Sequence, residues 1–257
     1  MGRTIALHSF RGGTGKSNVT ANLAYSLARR GKAVAVLDTD IQSPGIHLIL
    51  GLDADRITHT LSDAVLGKCE LEEAAYDIST ELGLDPGGGR VCLLPSSMSV
   101  DDISRVLADG YNANTLNKQF KRLMASLDLD FLILDTHPGL NRETLLTTSI
   151  SDLLVLLIRP DKQDYHGTAV LVEVANRLQV PRIRLLANKV LPTMDWQSVR
   201  EQIEKAYGYD LIGMLPLDEA LIQLGSRKLF VPEYPDHPWS QRVVEIADKI
   251  VEIFADE

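Results

Sequence analysis

The sequence predicts a doubly wound α/β domain, with a mostly parallel sheet covered by helices on both faces. Three features of the chain lead there. Short apolar runs recur without the polar alternation of a half-exposed strand, as strands buried on both faces require. Stretches of helical period separate most of these runs, which is the pattern of strand-helix-strand units. A glycine-rich loop, Phe10-Arg11-Gly12-Gly13-Thr14-Gly15-Lys16-Ser17, joins the first run to the first helical stretch.

Residues 5–8 open the sheet. The helix after the loop is expected over 16–30, where Val19, Leu23 and Leu27 recur at four-residue spacing among alanines and Gly31 ends the pattern. Residues 33–37 (Ala-Val-Ala-Val-Leu) make the second strand. Further strands are expected at 91–94, 131–134, 153–158, 183–187 and 211–215. Between 41 and 90 the pattern weakens to a short helix over 60–66 and a turn at Pro86-Gly87-Gly88-Gly89. That triglycine precedes a strand, whereas phosphate loops follow a strand and open a helix, so it reads as a plain turn. Ser99 and Asp102 look like an N-cap and a first-turn acid, ahead of helices through Ala108 and over 114–127. A last helix over 239–254 sets Val243, Ala247, Ile250, Val251 and Phe254 on one stripe. Its polar face carries Glu245, Asp248 and Glu252 against Arg242 and Lys249, too acidic for a membrane-surface helix, so it is expected to pack on the sheet.

A chain of 257 residues with no visible linker or repeat is read as a single domain over 1–257. The net charge of −9 favours neither nucleic acid nor an anionic membrane as a general partner, although a local basic face that binds DNA stays open. Cys69 and Cys92 are far apart and fit neither a disulfide framework nor a cysteine metal site. No signal-peptide core and no apolar run of membrane-spanning length is present, and Ala6 departs from the N-myristoylation pattern. The expectation is a soluble cytoplasmic protein.

The chemistry concentrates around the glycine-rich loop. Its Gly-x-Gly-Lys-Ser end matches the P-loop pattern, in which backbone N–H groups cradle phosphates, a lysine reaches the β/γ oxygens and a hydroxyl binds Mg²⁺. Where the usual eight-residue pattern begins with glycine this chain has Phe10, and a cation, Arg11, follows. A P-loop enzyme also needs a carboxylate at the end of a nearby apolar strand, and Asp135 supplies it, with Gly139 four residues on. Asp38 and Asp40 end the second strand with the same parity, one suited to the metal shell and the other to a water; Asp40 is the stronger candidate for the water. His137 fits a positioning residue better than a base. Asn188-Lys189 begins like the guanine-reading Asn-Lys-x-Asp, but Leu191 removes the carboxylate that would accept guanine's hydrogens, favouring ATP over GTP.

Arg-Gly-Gly-Thr-Gly-Lys-Ser, Leu-Asp-Thr-Asp and Leu-Asp-Thr-His-Pro-Gly together closely resemble the ParA/MinD family of deviant Walker A ATPases. The resemblance spans nearly the whole chain, since Ala187-Asn188-Lys189 and Gly213-Met214-Leu215-Pro216 look like that family's adenine-side segments. It implies the P-loop NTPase fold and ATP-dependent homodimerisation around two sandwiched nucleotides, ended by slow hydrolysis. By the same similarity, Gly12, Gly13, Thr14, Gly15, Asn18, Gly139 and Pro216 border the nucleotide. Lys16 binds the β/γ-phosphates, Ser17 and Asp40 belong to the Mg²⁺ site, and Asp135 holds the ion through water. Asp40 also positions the attacking water, and Asn188 contacts the base. Arg11 replaces a signature lysine that reaches the partner's nucleotide, keeping the cation and adding a planar fork for phosphate oxygens. A smaller departure is Asn18, where serine or threonine is usual.

The function read from the sequence is a homodimeric switch ATPase that positions a cargo through a protein partner, with direct membrane binding not expected. The rivals are an ATP-dependent synthetase of the same superfamily, a metallocofactor-maturation protein, and a nucleotide-binding scaffold with negligible turnover. Asp161 to Asp164 are read either as part of a dimer face or as a solvated helix start.

Overall fold

The computed structural model describes residues 2–109 and 113–255. Among them eight strands form one sheet: β1 (Arg3–His8), β2 (Ala33–Asp38), β3 (Tyr76–Asp77), β4 (Arg90–Leu94), β5 (Phe131–Asp135), β6 (Leu153–Ile158), β7 (Ile183–Val190) and β8 (Leu211–Pro216). Their order is β3-β4-β2-β5-β1-β6-β7-β8. Only β3 runs antiparallel, and at two residues it is too short to leave a periodic trace in the sequence.

The helices among these residues are α1 (Lys16–Ala28), α2 (Ile46–Ile49), α3 (Leu61–Val65), α4 (Val100–Asp109), α5 (Ala113–Ser126) and α6 (Arg142–Ser149). They continue with α7 (Lys162–Arg177), α8 (Trp196–Tyr207), α9 (Glu219–Leu224), α10 (Phe230–Glu233) and α11 (Pro238–Ile253). Strand alternation divides the apolar side chains between two cores. Ile5, Leu7, Val34, Val36 and Ile133 face one that includes α1, α10 and α11. Ala6, Ala35, Leu37, Leu132 and Leu134 face another built on α5, α7 and α8. This is why the strands read as unbroken apolar runs.

Local chemistry explains the boundaries. Thr60 and Asp63 form a reciprocal capping box on α3. Pro238 at the first turn and the His237 ring, which accepts the Trp239 N–H, start α11. Val243, Ala247 and Ile250 are buried on the sheet side of α11, while Asp248 on its polar face pairs with Arg30, just past the end of α1. At the triglycine turn a side chain on Gly89 would place Cβ 2.1 Å from the Ala28 carbonyl oxygen and 2.6 Å from that of Lys32. Backbone atoms cannot rotate away, so glycine is there for packing of β4 on the end of α1.

The sheet order places β1 between β5 and β6, so chain direction across the sheet reverses at β1, and the loop after β1 opens at that switch point. Leu7 and Asp38 are both in register with Asp135. The glycine-rich loop, the Asp38–Asp40 segment and the Asp135–Gly139 segment therefore emerge side by side.

Candidate functional site

These three segments line a cleft of about 360 Å³ that includes Ser9, Arg11 to Asn18, Asp40, Ser43, His137 and Pro138. A larger groove, about 580 Å³, lies at the opposite edge around Gly2, Asp130 and Phe254 and gathers none of the motif residues.

The loop is held from inside and behind. Ser9 Oγ donates to the Arg11 carbonyl and accepts from Thr14 Oγ1, whose side chain is buried. Gly13 and Gly15 have φ of 74° and 88°, the left-handed region that glycine enters at little cost and that phosphate loops use to gather backbone N–H groups. A Cβ on Gly15 would also lie 2.7 Å from Asn188 Nδ2. That amide donates to the Thr14 carbonyl at 2.7 Å, Asn188 Oδ1 accepts the Lys189 N–H, and Lys189 Nζ donates to the Gly13 carbonyl at 2.7 Å. The strand end expected on the base side thus braces the loop from β7, and Lys189 adopts φ 58° to do so. Pro216 ends β8, one strand further out and outside the cleft lining.

Lys16 Nζ donates to Asp135 Oδ1 at 3.1 Å, and Thr20 Oγ1, one helical turn on, shares its one hydrogen between the Lys16 carbonyl at 3.0 Å and the same Asp135 oxygen at 3.1 Å. Both members of the ion pair are buried. Ser17 and Asn18 follow on the first turn of α1, and Asn18 Nδ2 donates to Ser226 Oγ. Asp38 is fully buried and receives the backbone N–H groups of Asp40 and Gly45. Burial, followed by the charges of Asp135 and Asp40, holds its carboxyl well above the usual range. Asp38 shapes the loop, and Asp40 is the carboxylate that lines the cleft.

His8 was not singled out from the sequence. Its Nδ1 lies 2.7 Å from Thr136 Oγ1, which already donates its hydrogen to the Leu7 carbonyl. The imidazole must therefore be the donor, which assigns the Nδ1–H tautomer and leaves Nε2 buried with no hydrogen-bond partner among the described residues. Burial and, next, the Lys16 charge push its pKa down to about 3. Gly139, with φ 85°, donates its N–H to the Ser9 carbonyl at 2.9 Å and ties the segment after β5 to the start of the loop.

The two departures at the start of the loop both meet α7. A Cβ on Gly167 would fall 2.0 Å from Phe10 Cδ1, so the Phe10 ring occupies a notch that only glycine leaves open. Arg11 Nη1 is 3.6 Å from Asp164 Oδ1 and 3.8 Å from Asp161 Oδ1, with its side chain 40% exposed at the rim of the cleft. Asp164 is buried and bound through both oxygens by Arg159, and Asp161 caps α7 by accepting the N–H groups of Gln163 and Asp164. Asp161 thus starts the helix, while Asp164 belongs to an internal ion pair. Gly167→Ala is expected to cost about 1–3 kcal/mol by overpacking, and most of that loss should vanish in a Phe10→Ala background. Urea unfolding of the two single variants and the double variant checks it, since additive losses would mean that ring and notch are independent.

A family model described as AAA domain matches residues 2–187. A putative septum site-determining protein MinD of Chlorella vulgaris is 30% identical over 228 residues, 86% of this chain and 74% of that protein. The chain belongs to the ParA/MinD family of P-loop ATPases. An uncharacterized ATP-binding protein of Methanocaldococcus jannaschii is 31% identical over 98% of this chain and 88% of its own length. Family relatives also include an iron-sulfur cluster carrier protein of Pyrococcus horikoshii, 25% identical over 96% of this chain and 85% of that protein. The fold is that of the septum site-determining protein MinD from Pyrococcus horikoshii OT3, a structure complexed with Mg-ADP, with a TM-score of 0.82 at 22% identity over 98% of this chain and 97% of that one. No helix among the described residues is long and apolar enough to cross a membrane.

Proposed function

We propose that this member of the family is an ATP-dependent homodimeric switch in the cytoplasm, which hydrolyses ATP slowly and positions a cellular cargo through a protein partner. The observation that carries this reading is the cleft itself, where the phosphate loop, Asp40 and the segment after Asp135 converge with Arg11 half-exposed at the rim. Lys16 binds the β/γ-phosphates, and the loop N–H groups from Gly12 to Ser17 cradle them. The oxygen donors Ser17, Asp40 and Asp135 suit Mg²⁺, which takes one or two protein oxygens and completes its shell with phosphate and water. The ion supplies charge neutralisation of the phosphate oxygens. Asp40 positions the attacking water.

Arg11, in place of the family's signature lysine, reaches the nucleotide of the second subunit. Its contacts to Asp161 and Asp164 are longer than direct hydrogen bonds, so leaving them costs little. Asn188 and Pro216 border the base, and Leu191 in place of a carboxylate favours adenine. A net charge of −9 and the acidic face of α11 make a protein a better cargo adaptor than DNA or a membrane surface. A cluster-carrier role would fall to Cys69 and Cys92, yet Cys92 is buried in β4, where burial pushes its thiol up to about 11.

Light scattering after size exclusion should give twice the monomer mass with ATP and Mg²⁺ and the monomer mass with ADP. Arg11→Ala should remove the difference while nucleotide still binds. A monomer under every nucleotide would overturn the dimer reading.

A further inference from the structure

The geometry points to His137 as a positioning residue that fixes the carboxylate of Asp40 for its water. This rests on the ATPase reading above and adds to it a group from the Asp135-Thr136-His137-Pro138-Gly139 segment. His137 Nδ1 lies 2.7 Å from Asp40 Oδ1, and both side chains line the cleft beside the phosphate loop.

The contact follows from the sheet. Asp38 and Asp135 are paired in the parallel register of β2 and β5, so the residues two further along each chain, Asp40 and His137, leave the sheet as neighbours. The two segments are also stitched between those positions, since the Thr39 N–H and hydroxyl both donate to the Asp135 carbonyl at 2.9 Å. Neither partner of the His137–Asp40 contact is therefore on a free loop.

An ionised carboxylate can only accept, so Nδ1 carries the hydrogen. Asp40 Oδ1 receives a second donor, the Ser43 N–H at 3.0 Å, while Oδ2 has no hydrogen-bond partner among the described residues. One oxygen is thus clamped by two donors and the other remains for a water. A short aspartate has two free torsions, and two donors on one oxygen restrict both. The role is the reverse of the familiar hydrolase arrangement, in which a carboxylate orients a histidine. Here the histidine orients the carboxylate.

The test is single-turnover ATP hydrolysis and separate nucleotide binding for wild type, His137→Ala, His137→Asn and His137→Gln, with Lys16→Ala in parallel. His137→Ala should slow hydrolysis on the order of 10- to 100-fold, as loss of a partner that orients a functional ligand does, with ATP affinity within about twofold. Asparagine places its amide near Nδ1 and should restore most of the rate, whereas glutamine, whose amide lies near Nε2, should not. In an Asp40→Ala background His137→Ala should have no further effect. A second readout needs no turnover: the His137 ring N–H resonance should be protected from exchange in wild type and lose that protection in Asp40→Ala. A wild-type protein without turnover above Lys16→Ala would overturn the ATPase reading and the proposal with it. Normal turnover in His137→Ala, equal losses in the alanine and asparagine variants, or an unprotected ring proton would overturn the role of His137 alone.

Discussion

Replacing Lys16 with alanine is expected to abolish nucleotide binding and also to destabilise the fold by about 3–5 kcal/mol. The first effect follows from its place at the base of the cradle, where its charge would meet phosphate. The second follows from its partner. Lys16 Nζ is the cation facing Asp135, and both groups are withdrawn from water. Truncation leaves a buried carboxylate beside the neutral Thr20 hydroxyl, whose single hydrogen the backbone carbonyl of residue 16 also attracts. For a domain of this size the loss corresponds to a fall in Tm of roughly 10 °C. Lys16→Ala with Asp135→Asn should recover most of the stability and none of the binding, since the second change removes the stranded charge and restores no phosphate ligand. Calorimetric titration with ATP and thermal melts of the three variants separate the two effects. An unaltered melt for Lys16→Ala would show that the pair contributes nothing to the fold.

The second large effect concerns acid. His8 has an ordinary pKa near 6.5 when unfolded and about 3 in the fold. Below pH 6.5 the unfolded chain takes up a proton that the folded chain refuses, so stability is fully present above pH 6.5 and declines as pH falls towards 3. The complete loss would be about 5 kcal/mol, and about 3 kcal/mol of it falls between pH 6.5 and 4. Other groups titrate in the same window, and the buried Asp38 carboxyl, held high, acts in the opposite direction. The clean measurement is therefore the difference between wild type and His8→Asn, whose amide still reaches Thr136 and does not titrate. That difference should shift in favour of the variant as pH falls from 7 to 4. Parallel stability curves would show that the His8 site accepts a proton at little cost.

The fold was legible because its signal is redundant. Seven strands buried on both faces leave seven apolar runs, and the P-loop places the first two of them. Strand order was not legible: nothing in the runs at 131–135 and 153–158 says that they flank β1, and that order brings Asp135 to Lys16. The gathering of side chains at the cleft was legible where a motif asks for one residue type at one spacing, as with Lys16, Ser17 and Asp40 on its lining and Asp135 against Lys16. It was illegible where a contact depends on long-range packing. Asn18 gives its amide to Ser226, 208 residues away, and Asn188 uses one hydrogen and one lone pair of its amide behind the loop. His8 sits two residues before the loop, at the end of β1, and reads as one more strand residue. Only burial with a one-sided hydrogen bond marks it out.

The ring of Phe10 in the notch at Gly167 has a consequence for how such chains diverge. With a glycine at position 10, nothing fills the notch, and position 167 is free to take alanine, serine or larger residues suited to a helix. With an aromatic at position 10 it is not. The two positions, 157 residues apart, should change as a pair across related sequences, and the aromatic state should be entered only through ancestors that already carried glycine on the helix. Glycine in the middle of α7 costs that helix roughly 0.5–1 kcal/mol relative to alanine, so a lineage that lost the ring would be expected to lose the glycine soon afterwards.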